Sequence, residues 1–315
     1  MNKAQIWLPV VLVAQLLILA TIVSKHENIM ANGEVVYLRT MPVDPRDIFR
    51  GDYVVLDYEL VHRAKGLMQE NNLRADNVYL NLRTNQRDVA NLVSVDSTAP
   101  TLGLFVRGFA SAFDHSYLPK LQLGIEKYFV EQGAGKELEA IRGEAQSWQT
   151  PLEMRVALGS DGTPVITGHR FSPIRTRTRF AEQEDALAQP DAPPQHLEFS
   201  IENSRLAPLT LFDDQAHCGF ALVHAETLRP VALNRNCSKA VLKRIELFPG
   251  DRYQVEIDLS QLQWQAKGQS DPLSLAEVDR AWNGFRLVYQ GQVDTPTADA
   301  EQILSARFFR RGGVD

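Results

Sequence analysis

Five charged side chains, Asp44, Arg46, Asp47, Arg50 and Asp52, fall within nine positions of each other, in a stretch that also holds Pro42 and Pro45. Three carboxylates and two guanidiniums this close can satisfy one another through charge-assisted hydrogen bonds, giving a self-supporting ionic loop. The same groups could form a docking surface, or set their acids around a ligand or cation. Asp44, Asp47 and Asp52 lack calcium-loop spacing, so no metal is expected. Downstream, Glu126 and Glu131 are candidates for paired acid/base work of the glycosidase kind. They differ by an odd number of positions, so on a regular strand they face opposite sides and fit surface acids better. Arg175, Arg177 and Arg179 alternate along one strand face. That suits a charged edge protected from aggregation, or a contact with anionic headgroups or an acidic loop. No Ser-His-Asp arrangement, P-loop or Rossmann glycine pattern is present, and no cofactor is expected.

These groups need elements to hold them. Pro42 and Pro45 favour an irregular loop, and Gly51 is free to turn the chain into a strand. Along that strand, expected over Tyr53–Leu60, Tyr53, Val55 and Asp57 share one face, while Val54, Leu56 and Tyr58 share the other. Further alternating or β-branched runs cover Val35–Thr40, Val78–Arg83, Val89–Val95, Gly103–Gly108 and Leu121–Val130. The last of these carries Glu126, Tyr128 and Phe129. A short helix is expected over Lys136–Arg142, and a hairpin over Met154–Gly168 with its turn at 159–162.

Residues 181–196 hold three prolines and no aromatic or β-branched side chain, the composition of a flexible linker. It divides a β-rich domain, 33–180, from a second, 197–311. Short runs in the second are spaced like an Ig-like antiparallel β-sandwich, without the Cys…Trp…Cys order of antibody domains. In an oxidising compartment Cys218 and Cys237 would close a disulfide worth about 3 kcal/mol. Free buried thiols are an alternative, as is a metal site with His217, for which only His224 offers another nearby ligand. The disulfide is the favoured reading.

The N-terminus fixes the setting. Residues 1–5 make a short N-terminal tail and 6–24 a transmembrane signal anchor. Ile6–Val23 is uncharged and, as a helix, spans about 27 Å, close to the roughly 30 Å hydrocarbon core. No good small-x-small cleavage site follows. Lys3 and Lys25 flank the span. The short N-terminus and the presence of only two cysteines point to a cytoplasmic tail and a periplasmic bulk. A net charge of −6 and a pI near 5.7 argue against nucleic-acid binding, which needs a basic patch.

Gly51, Asp52, Tyr53, Leu56 and Tyr58 spell G-D-Y-x-x-L-x-Y. A second block runs Gly124-Ile-Glu-Lys-Tyr-Phe-Val-Glu-Gln-Gly133, then Gly135-Lys-Glu-Leu-Glu139. Together they resemble the GDYXXLXY family of bacterial membrane-anchored proteins, over about residues 33–168. The resemblance implies membrane anchoring and a multi-pass membrane protein as partner, and it assigns no catalytic residues. Met41-Pro42 ahead of Gly51-Asp52 is also superficially similar to signal-peptidase-like enzymes. Thr40 stands where their serine would be, and Lys120 and Lys127 carry no signature of a base.

The expected protein is mainly β and single-pass, anchored in the bacterial inner membrane through residues 6–23. A membrane-proximal domain and an Ig-like module lie in the periplasm. Its expected role is a non-enzymatic accessory or scaffold that assembles with a multi-pass membrane protein through the motif loop. The competing reading is an envelope hydrolase acting on peptide or glycan, with the Asp44–Asp52 loop as its site.

Overall fold

The computed structural model describes residues 3–41, 53–111, 119–131, 138, 140–143, 146–180, 196–234, 237, 241–258, 264–266, 284–290, 303–309 and 313–314. The chain is mainly β, with 49% strand and 19% helix in several antiparallel sheets.

It opens with α1 (Lys3–Asn32), whose stretch from Pro9 is long and apolar enough to cross a membrane. Large apolar side chains from Val10 to Val23 are exposed around the helix, as suits a segment with an apolar solvent. The far end of α1 is docked. Ile29 is buried against Ala157 and Val165, and Lys25 Nζ lies 2.7 Å from Asp161 Oδ2.

The first module holds β1 (Glu34–Arg39), β2 (Tyr53–Val55), α2 (Glu59–Glu70), β3 (Asn77–Thr84), β4 (Ala90–Asp96) and β5 (Leu104–Ser111). It continues with β6 (Lys120–Gln122), β7 (Lys127–Phe129), β8 (Leu152–Leu158) and β9 (Pro164–Phe171). The strands pair in the orders β1-β8-β9, β4-β3-β5-β6 and β2-β7. One core joins them, in which Leu38, Leu80, Val106 and Met154 meet Val54, Leu56 and Tyr58.

The second module holds β10 (Ile174–Phe180), β11 (His196–Asn203), β12 (Leu209–Asp213), β13 (Phe220–His224), β14 (Pro230–Asn234) and β15 (Lys243–Leu247). Then come β16 (Arg252–Asp258), β17 (Trp264–Ala266), β18 (Phe285–Tyr289), β19 (Ile303–Leu304), β20 (Phe308–Phe309) and β21 (Gly313–Val314). The orders are β10-β11-β16, β12-β15 and β17-β14-β13-β18-β20-β21, with β19 beside β18. Phe199, Phe220, Leu211, Leu287 and Phe308 fill the core between them, together with Ile174.

β10 pairs with β11 from Ile174↔Asn203 to Phe180↔Leu197. The segment 181–195 lies outside the described residues, yet the strands it joins are neighbours in one sheet. Composition shows only that such a segment stays out of a core; strand pairing decides what it connects.

Two local expectations are corrected. The strand expected over Tyr53–Leu60 ends at Val55, and α2 begins at Glu59. Leu60, Val61, Ala64 and Met68 recur at helical spacing and are buried, so their period outweighs the short alternation before them. Leu121–Val130 is two strands, broken where Gly124 turns with φ +83°. Of the helix expected over Lys136–Arg142, Leu138 and residues 140–142 are helical and the rest lies outside the described residues.

Candidate functional site

The two motif blocks meet. β2 and β7 form an antiparallel ribbon in the register Tyr53↔Phe129, Val54↔Tyr128 and Val55↔Lys127. Beyond the ladder Leu56 N–H donates to the Glu126 carbonyl at 2.8 Å. Tyr58 donates its hydroxyl to the Ile125 carbonyl, also at 2.8 Å. Val54, Leu56 and Tyr58, which share one face, are buried. Burial, followed by the charge of Glu126, pushes the Tyr58 phenol far above its usual range. Glu126 accepts the backbone N–H of Leu123 at 2.5 Å and of Gly124 at 3.1 Å, clamping the turn between β6 and β7. Tyr128, opposite Val54, packs partly buried against the core with its Oη 3.1 Å from His169 Nδ1, whereas Phe129 on the outer side is 72% exposed. Asp44, Arg46, Asp47, Arg50, Gly51 and Asp52 lie outside the described residues, as does the side chain of Tyr53.

The ribbon continues into α2 through Asp57, whose Oδ2 is 2.7 Å from His62 Nε2. His62 Nδ1 is 2.7 Å from the Glu226 carbonyl, which belongs to the second module. Burial raises the Asp57 carboxyl, but the His62 hydrogen bond and charge, with Lys65 and Arg286, hold it below the usual carboxylate range. Arg286 is itself buried and donates to the Ser305 carbonyl at 2.8 Å. Burial, then the charge of Arg307, brings its guanidinium down to about 10.

The family described as GDYXXLXY protein is matched over residues 15–168. This segment is a GDYXXLXY region. The match takes in the outer part of α1, the ribbon and the sheets up to β9, and the second module lies beyond it. No curated protein and no solved structure matches the chain.

The GDYXXLXY region and the second module share a tight contact. Met41, one residue before the motif loop, is buried with Ala221, Val223, Leu228 and Val288. Arg229 reaches Glu70 Oε1 at 2.8 Å and Gln69 Oε1 at 3.1 Å. Gly66 on α2 admits the Thr227 carbonyl so closely that an added Cβ would sit 2.5 Å from its oxygen. A cavity of about 40 Å³ lies at this junction, bordered by Arg39, Thr40, Met41, Arg142 and Ser305. It is far smaller than the several hundred Å³ that drug-sized ligands occupy. Thr40 donates its hydroxyl to the Leu152 carbonyl at 2.9 Å, which ties it to the sheet.

Sequence reasoning missed an ion network that joins β1, β8, β9 and α2. Glu153 is fully buried. It takes Arg87 at 2.7 Å and Arg170 at 2.7 Å, with Arg39 at 4.0 Å. Glu59 bridges Arg39 at 3.4 Å and Arg63 at 2.9 Å. These residues are scattered over β1, α2, β8, β9 and the β3–β4 turn. Only Glu59 and Arg63, four apart on α2, carry a local signature; the rest meet across long sequence separations.

Of the other candidates, Cys218 and Cys237 are joined, with sulfurs 2.07 Å apart. His217 turns to Asp213 at 3.1 Å instead. Arg175 and Arg179 pair across the sheet with Glu202 at 2.9 Å and Glu198 at 2.6 Å, and Arg252 meets Glu202 from the other side at 2.7 Å. Among the described residues, no group of three or more His, Cys, Asp or Glu is placed to hold a metal ion.

Proposed function

We propose that this chain is a single-pass inner-membrane protein with a short cytoplasmic tail, its bulk in the periplasm. There it serves as a non-enzymatic accessory or scaffold subunit of a multi-pass membrane protein. The observation that carries this reading is the ribbon. Its inner side chains are spent on the core, and its outer side leaves Phe129 exposed beside the entry to the charged loop. An exposed aromatic beside a charge-rich stretch of sequence is the composition of an interaction hot spot. The continuous helix from the apolar span into the docked Ile29 supports an uncleaved anchor.

In this reading the chain has two modules, with β10 counted in the second because it completes that sheet. The second module is an Ig-like sandwich presented to the envelope. Its disulfide suits an oxidising compartment.

The test is affinity purification from native membranes in gentle detergent, with co-purifying proteins identified by mass spectrometry. A stoichiometric multi-pass protein is expected. It should be lost in the Arg50→Ala/Asp52→Ala and Phe129→Ala variants while the chain itself remains folded. A lone protein would overturn the accessory reading and return the hydrolase one.

A further inference from the structure

A groove of about 560 Å³ runs between the polar end of α1 and the β8–β9 turn. Its lining includes Lys25, Asn28 and Asn32 of α1, the carboxylates of Glu34 and Asp161, and the apolar Phe105. Its size is that of a small-molecule site.

Its height relative to the apolar span follows from helix geometry. Lys25 lies about 3 Å above Val23, Asn28 about 8 Å and Asn32 about 14 Å, at about 1.5 Å per residue. The headgroup layer is about 5–8 Å thick on each side of the hydrocarbon core. If α1 spans the bilayer, the Lys25–Asn28 end of the groove lies inside that layer and the Asn32 end rises beyond it. Leu102, next in sequence to the lining residues Gly103 and Leu104, is 88% exposed.

We infer that this groove binds the headgroup of an aminophospholipid of the phosphatidylethanolamine type from the surrounding bilayer. This rests on the anchored reading above. The charges select that chemistry. One cation, Lys25, stands with two carboxylates, Asp161 and Glu34, so an anionic headgroup is disfavoured. A zwitterion is matched at both ends. Lys25 gives one N–H to Asp161 at 2.7 Å and keeps two for a phosphate oxygen. Asn32 donates to Asn28 Oδ1 at 2.8 Å, leaving the Asn28 amide group as a further donor. The carboxylates accept the N–H groups of a primary ammonium, which a choline headgroup lacks. Ile29, Leu104 and Leu158 supply apolar wall for the glycerol end.

The experiment uses the full chain purified in mild detergent, with native mass spectrometry counting retained lipid. Phosphatidylethanolamine, phosphatidylcholine and phosphatidylglycerol of matched acyl chains compete. The wild type should retain the ethanolamine lipid about tenfold better than the choline lipid, the effect of one charge-assisted hydrogen bond. Glu34→Gln/Asp161→Asn should abolish that preference. Ser160→Trp, which fills the groove from an exposed turn, should remove the lipid with all charges intact. Equal retention of the ethanolamine and choline lipids by the wild type, a preference for the glycerol lipid, or retention unchanged in both variants overturns the inference. Carbonate extraction separates the two readings. Release of the chain from membranes sinks the anchor and the groove together, whereas a retained chain without lipid preference sinks the groove alone.

Discussion

Tyr58 gives its hydroxyl to the carbonyl of Ile125 across a sequence separation of 67 residues, and so bonds the end of the first motif block to the second. The bond is buried and lies just beyond the paired strands β2 and β7, where the chain turns into α2. The motif is therefore one structural unit, although the chain writes it in two places.

Tyr58→Phe keeps the ring and leaves the Ile125 carbonyl without that donor. A loss of about 1–2 kcal/mol is expected, the usual effect of removing one partner of a buried hydrogen bond. Urea unfolding followed by tryptophan fluorescence measures it. An unchanged midpoint would mean that the bond contributes nothing.

Gly66→Ala sets two effects against each other. Alanine favours a helix interior by about 1 kcal/mol over glycine. Here its Cβ would lie 2.5 Å from the Thr227 oxygen, so the modules must part. The clash should win, for a net loss of about 1–3 kcal/mol. A stabilised variant would show that the module contact yields freely.

Glu153→Gln leaves Arg87 and Arg170 facing a neutral amide in a site closed to water. Breaking a buried ion pair from one side costs about 3–5 kcal/mol. Thermal unfolding of the purified chain should show this as a fall of several degrees in Tm. A change no larger than that of an exposed Glu→Gln control would refute the network's role.

Acid should loosen the contact between the modules. Asp57 in the folded chain is held below the usual carboxylate range, about 4, so it adds stability that is fully present above that pH. The contribution is lost as pH falls from about 4 through the folded value. Unfolding midpoints collected between pH 6 and 3 should fall at the acid end. The fall should be smaller in His62→Ala, which removes the hydrogen bond responsible. Identical acid limbs in the two proteins would dismiss the pairing.

Much of this was legible in the chain itself. The apolar run of α1, the shared face of Val54, Leu56 and Tyr58, and the β8–β9 hairpin all follow from local period and turn chemistry. Those signals act over a few residues, where the backbone repeats at 2.0 or 3.6 and glycine marks a turn. α2 was also present as a pattern, in Leu60, Val61, Ala64 and Met68, though the alternation of Tyr53–Tyr58 masked its start.

Tertiary structure alone decided what meets what. The pairing of β2 with β7, the burial of Glu153 among arginines from separate segments, and the closure of β10 on β11 are long-range choices. Shared burial and strand hydrogen bonding settle them, and neither is encoded in the neighbours of any one residue. The sequence by itself determined a mainly β chain with an apolar N-terminal helix and a two-block motif. Only the fold turned those blocks into one ribbon, because a strand's edge is satisfied by whichever partner the packed core brings beside it.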